Sequence, residues 1–154
     1  MKEKDCIAWF KKNCPYYFYK IPDSVPPMDR EGSKLSRFVP KKPYDGYVLT
    51  PGFIALEFKS APLRANKKAG SIRFDALKDH QVEGLKKVKD AGCKAYVVCF
   101  FVSKKGNKNI YDHVFIDIDD YLDYWSTSKK KSFTLSEVKD LGYNLSSSHA
   151  YGNF

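Results

Sequence analysis

The sequence predicts an α/β domain, a mixed β-sheet flanked by α-helices. Three observations carry this. Aromatic residues make up 16% of the 154, including 11 Tyr and 11 Phe, and such residues favour strands. The stretch Ala95 to Val102 (AYVVCFFV) is apolar throughout, as a strand covered on both faces requires. Helix-period segments alternate with strand-like runs along the chain. The length suits one domain, so residues 1–154 read as a single unit.

In chain order, Lys4 to Lys12 predicts a short helix with Cys6, Ile7, Trp9 and Phe10 on its apolar side, stopped before Pro15. Tyr16 to Ile21 (YYFYKI) predicts a strand. A long loop, 22–43, follows, with Pro22, Pro26, Pro27, Pro40 and Pro43; a loop of that length in a compact domain is often functional. Tyr44 to Leu49 and Phe53 to Lys59 predict strands joined by the turn Thr50-Pro51-Gly52, and so a hairpin. Residues 60–71 predict a second, flexible loop. Phe74 to Lys89 predicts a helix with Phe74, Leu77, Gln81, Leu85 and Val88 on one face, ended by Ala91-Gly92.

After the central strand, Lys104 to Asn109 predicts a turn and Ile110 to Ile118 a returning strand. Asp119 to Trp125 predicts a short helix, and Ser126 to Ser132 a polar basic link. Thr134-Leu135-Ser136-Glu137 fits a capping box, opening a helix that ends at Gly142. Residues 146–154 read as a loose tail.

The formal net charge is +9, from 27 basic and 18 acidic residues. That favours a polyanionic partner, nucleic acid first, and no basic amphipathic helix argues for a membrane surface. No apolar run approaches a membrane span. The first residues, Met1-Lys2-Glu3-Lys4-Asp5, lack the apolar stretch of a signal peptide, so a cytoplasmic location is expected, in the host cell if the gene is viral. Cys6, Cys14, Cys93 and Cys99 form no CxxC pair and do not cluster with His80, His113 or His149. Neither zinc nor disulfides are expected, and Cys93 and Cys99 read as core.

The informative stretch is Pro43-Tyr44-Asp45-Gly46 followed by Ala55-Leu56-Glu57-Phe58-Lys59. Strand alternation puts Ile54, Leu56 and Phe58 on one face and Ala55, Glu57 and Lys59 on the other. Asp45, on the partner strand, can lie near Glu57. Two carboxylates on a buried sheet repel and cost desolvation, and a divalent metal resolves that conflict. Mg²⁺, with Mn²⁺ as a substitute, takes carboxylate oxygens, a backbone carbonyl and waters, and the Phe58 carbonyl is a candidate third ligand. Lys59 could orient or deprotonate a water, or stabilise charge on a phosphate. The plainer alternative is an exposed edge strand with a solvated Glu–Lys pair. Gln81, a polar amide on a core helix face, needs a partner and could reach this site or a phosphate.

This ordered set, Asp45…Glu57-x-Lys59 and then His80-Gln81, resembles the PD-(D/E)XK nuclease superfamily, and most closely the Holliday junction resolvases of the RecU type and their phage-like relatives. The stretches Phe18 to Asp23, Pro43 to Gly46, Ala55 to Ser60, Leu77 to Gln81, Tyr121 to Trp125 and Lys131 to Leu135 carry the likeness, over about residues 16–145. The resemblance implies a restriction-endonuclease-like fold. Asp45 and Glu57 would be metal ligands, Lys59 catalytic and Gln81 a support. It also implies a homodimer that cuts four-way DNA junctions. A further acid of the family's first helix would fall on Glu3 or Asp5.

Arg30, Lys34, Arg37, Lys41 and Lys42 before Asp45, and Arg64, Lys67, Lys68 and Arg73 after Lys59, are expected to bind DNA phosphates without reading sequence. Two other functions stay open at this stage: a nuclease of the same superfamily acting on duplex or flapped DNA, and a DNA-binding module that keeps the fold without catalysis.

Overall fold

The computed structural model describes residues 2–23 and 41–141. Its centre is a five-stranded mixed sheet in the order β1-β2-β3-β5-β6. The strands are β1 (Tyr17–Lys20), β2 (Gly46–Leu49), β3 (Phe53–Ala61), β5 (Lys94–Lys105) and β6 (Lys108–Asp117). β3 and β5 run parallel and the other neighbours antiparallel. Helix α1 (Glu3–Asn13) packs on one face through Cys6, Ile7 and Phe10 against Phe18, Leu56, Phe58 and Phe100. Helices α2 (Asp79–Asp90), α3 (Ile118–Thr127) and α4 (Leu135–Asp140) supply Leu85, Ile118, Tyr121 and Val138 to the other face. The predicted class, a mixed sheet between helices, is the one observed.

The central strand behaves as its apolar run requires. Val97, Cys99 and Phe101 enter the core under α2 and α3, while Val98, Phe100 and Val102 enter the core under α1. Both sets are fully buried. The four cysteines are free, and Cys93 is only half-buried where a core position was expected.

Several boundaries differ from expectation, each for a local reason. β2 begins at Gly46, because the Asp45 side chain turns across to β3 instead of extending the pleat. β3 runs on to Ala61, so residues 60–71 are not wholly a loop; a Leu63–Ala69 bridge closes the remaining turn. The helix expected from Phe74 starts only at Asp79. Phe74 and Leu77 reach the core through a 3₁₀ turn, Phe74–Ala76, because Leu77 and Lys78 are extended. Two-residue strands β4 (Ile72–Arg73) and β7 (Ser132–Phe133) pair in a small second sheet; pieces so short leave no periodic signal. The expected turn 104–109 narrows to Gly106-Asn107 between long strands. The Thr134 capping box is present, and the expected helix end at Gly142 and tail 146–154 lie outside the described residues.

Helix α2 is fixed at its C-terminus and at its middle. Gly92 beyond its C-terminus has φ 89°, a left-handed conformation that suits glycine. Lys89 pairs with Asp117 and, at 2.9 Å, with Asp119, which ties this end to the start of α3. Midway along the helix, a Cβ on Gly84 would lie 2.4 Å from Pro43 Cβ and 2.8 Å from the Pro43 carbonyl oxygen. The helix therefore seats directly on the segment that leads into Asp45.

His113 of β6 is 2% exposed and stacks on Phe100 at 4.9 Å, with Trp9 and Phe10 against it. Burial pushes the imidazole pKa down to about 4. Between pH 6.5 and pH 4 the unfolded chain binds this proton and the native chain does not. Its contribution to stability is thus complete above pH 6.5 and is lost as pH falls towards 4, a loss of about 3 kcal/mol at most. His113→Phe keeps the stack and removes the proton. Urea melts at pH 7 and pH 4.5 should give the variant a smaller pH-dependent loss than the wild type, and equal losses would refute this assignment.

Candidate active site

β2 and β3 pair with Gly46 opposite Leu56, which brings Asp45 alongside Glu57. The Asp45 N–H donates to the Leu56 carbonyl at 3.1 Å, and its Oδ2 accepts the Phe58 N–H at 2.9 Å. A strand residue's N–H and C=O leave on the same edge. The Phe58 carbonyl therefore lies on the edge that Asp45 occupies.

Glu57 is 1% exposed and Lys59 8%. Glu57 Oε1 accepts from Lys59 Nζ at 2.8 Å and from Gln81 Nε2 at 2.6 Å. Its other oxygen, Oε2, is buried and has no hydrogen-bond partner among the described residues. Burial first, and then the Asp45 charge, push the Glu57 carboxyl up to about 7 against the pull of Lys59. The solvated Glu–Lys pair on an edge strand is thereby excluded: β3 lies between β2 and β5, and both side chains are buried.

Gln81 is placed by its helix. It is the third residue of α2, and its Oε1 accepts the Lys78 N–H at 2.9 Å, closing a capping box. With the oxygen so occupied, the amide nitrogen turns to Glu57. The expectation that Gln81 shares a helix face with Leu77 fails, since Leu77 precedes the helix, but the partner the amide needed is at the site.

Of the two acids on α1, Asp5 is exposed and accepts the Lys2 N–H at the helix start, at 3.1 Å. Glu3 faces the site. Its carboxyl is raised by burial, opposed first by Lys59, with Asp45 adding and Lys42 opposing.

Sequence reasoning missed one pair. Lys42 Nζ lies 2.9 Å from Asp45 Oδ1 and 2.5 Å from Asp23 Oδ1. Expected as a phosphate contact, Lys42 is here the counter-ion of the site. Burial lowers its pKa, but its bonds to Asp23 and Asp45 outweigh that and hold it above the usual lysine range. The signal lay in strand pairing. Lys20 opposite Gly46, extended by the Ile21 N–H to the Asp45 carbonyl, carries the chain past Asp45 just before Asp23.

The other expected DNA contacts divide. Arg30, Lys34 and Arg37 lie outside the described residues. Lys41 is exposed and lines a cleft with Leu77, Lys78, His80 and Trp125. Arg64, Lys67 and Lys68 are exposed on the turn closed by the Leu63–Ala69 bridge. Arg73 is exposed and held by Asp75 at 2.7 Å.

Among the described residues, no three His, Cys, Asp or Glu side chains gather closely enough to hold an ion by themselves. A smaller donor set does fit a hard divalent cation: the unpartnered Glu57 Oε2, Asp45 beside it and the carbonyl edge of Phe58. Mg²⁺ commonly takes only one or two carboxylates and completes its shell with water.

The sheet order and the helices on both faces agree with the restriction-endonuclease-like class of α/β protein. The family model of recombination protein U matches residues 53–152. The chain belongs to that family, whose members are Holliday junction resolvases. The match includes Glu57, Lys59 and Gln81 and begins after Asp45. Among curated proteins no sequence matches the chain. No helix among the described residues is long and apolar enough to cross a membrane.

Proposed function

We propose that the protein is a divalent-metal-dependent endonuclease of the PD-(D/E)XK type that cuts four-way DNA junctions by phosphodiester hydrolysis. The observation that carries this reading is the buried Asp45–Glu57 pair with an unpartnered Glu57 oxygen and Lys59 bonded beside it. Asp45, Glu57 and the Phe58 carbonyl would hold Mg²⁺ or Mn²⁺. Such an ion supplies positive charge against the phosphate and acidifies water.

The chain's own residues do the rest. Lys59 opposes the burial that raises the Glu57 carboxyl, by supplying a cation 2.8 Å away. Its ammonium would stand beside a phosphate drawn to an ion at the carboxylates, and preorganised charge of that kind lowers the barrier. Gln81 fixes which Glu57 oxygen is left over, by taking Oε1. Glu3 adds a negative side chain from the opposite helix layer. The exposed Lys41, Arg64, Lys67 and Lys68 would contact the DNA backbone. A homodimer would set two sites across a junction.

The test is a substrate panel at one Mg²⁺ concentration: junction, flap, nicked duplex and linear duplex. Paired nicks in the junction well above all other cutting are expected. Equal cutting of every substrate would keep the site but reject junction selectivity, and binding without cutting under Mg²⁺ or Mn²⁺ would reject catalysis.

Gln81→Leu should cut about 10- to 100-fold more slowly, the usual cost of losing a partner that orients a ligand. Its unfolding free energy should fall by only about 1 kcal/mol, from the lost cap. Single-turnover rates beside urea melts would check both, and an unchanged rate would remove Gln81 from the site.

A further inference from the structure

We infer that Lys42 is a built-in competitor of the metal, an ammonium seated on Asp45 that must yield this carboxylate before a divalent ion can take it. The inference rests on the proposed metal site and assigns Lys42 a role distinct from DNA contact.

Asp45 is almost wholly buried, and both of its oxygens are committed. Oδ2 accepts the Phe58 N–H at 2.9 Å, and Oδ1 lies 2.9 Å from Lys42 Nζ. Oδ2 is tied to the β3 backbone, so Oδ1, the oxygen on which Lys42 sits, is the one more open to an ion. Lys42 is itself well shielded, with 20% of its side chain exposed, so water does not screen the pair fully.

Without the ammonium, Asp45 and Glu57 would stand side by side with Lys59 as their nearby cation. Lys42 therefore offsets the Asp45 charge in the metal-free site. A divalent ion and an ammonium at one carboxylate oxygen repel each other, so binding displaces Lys42.

Asp23 is the seat that Lys42 keeps when it is displaced. It bonds the same ammonium at 2.5 Å, and its side chain is 68% exposed. A carboxylate that open is stable in water without a counter-ion, so the contact serves Lys42 more than it serves Asp23. Lys20, 3.5 Å from Asp23, steadies this second seat. The ammonium then stays at the rim of the site instead of leaving it.

The test titrates MnCl₂ alone, without DNA, into wild type, Lys42→Met, Lys42→Arg and Glu57→Gln by calorimetry. Urea melts of the metal-free proteins accompany it. Lys42→Met is expected to bind Mn²⁺ about tenfold tighter, the scale of one released ion pair. Without metal it should unfold at lower urea than wild type. Lys42→Arg, which keeps the competing charge, should stay close to wild type in affinity. Glu57→Gln should lose the binding.

Equal affinity in wild type and Lys42→Met, with Glu57→Gln still losing binding, would overturn this inference and leave the metal site standing. No Mn²⁺ binding in wild type or Lys42→Met would overturn the metal site as well. Should Lys42→Met fail to fold, Lys42→Gln replaces it with the same expectations.

Discussion

Lys59→Ala is expected to lower metal-dependent cutting by about 10²- to 10⁴-fold, the range for a positioned acid–base or charge-stabilising group. Two losses combine. The ammonium beside the reacting phosphate disappears, and Glu57 loses the cation that opposes its burial. A Glu57 carboxyl already raised to about 7 would then rise further and be protonated at neutral pH. Lys59→Arg should not rescue the rate, because the guanidinium is larger and planar and needs room this buried strand position does not have. Both variants should still bind DNA, since the exposed basic residues are untouched. Single-turnover cutting beside a binding isotherm separates these effects. Cutting within twofold of wild type in Lys59→Ala would contradict the role given to it.

The largest stability effect is expected at Phe10. This side chain is fully buried and joins α1 to the sheet through edge-on contacts with Phe18 at 5.3 Å and Phe58 at 5.1 Å. Phe10→Ala removes the ring and leaves a cavity between rigid aromatics, at a cost of about 3–5 kcal/mol. That is a large share of the ~5–15 kcal/mol by which domains are stable. The consequence reaches the site, because α1 also carries Glu3. Urea unfolding should give a much lower midpoint with a similar slope. A loss below about 1 kcal/mol would mean that α1 is not anchored as described.

The fold class was legible because its main signals are local. An unbroken apolar run predicts a strand buried on both faces, and Ala95 to Val102 is one. The hairpin follows from the turn Thr50-Pro51-Gly52 between two strand-like runs, and the opposite faces of Leu56 and Glu57 from alternation. What escaped depends on pairing across the chain. The start of α2 is set by Gln81 closing back on Lys78 and its seat by Gly84 against Pro43, and helical spacing from Phe74 onwards records neither.

The same division holds at the site. Asp45, Glu57, Lys59 and Gln81 sit together as the ordered motif suggested. The choice between Glu3 and Asp5 required the helix to be docked. Lys42 looked like one more loop cation until strand pairing set Asp23 and Asp45 on either side of it. A charge count cannot distinguish a lysine that meets DNA from one that holds a buried carboxylate.

Metal-dependent cutting at Glu57 is tested by comparing a labelled four-way junction with linear duplex of the same sequence. Wild type and Glu57→Ala are each assayed with and without Mg²⁺. Symmetric nicks are expected in the junction that vanish when the metal is withheld and vanish in the variant, while junction binding persists in both proteins. Unchanged nicking by Glu57→Ala would contradict this, because the carboxylate at the centre of the site would then have no part in the chemistry.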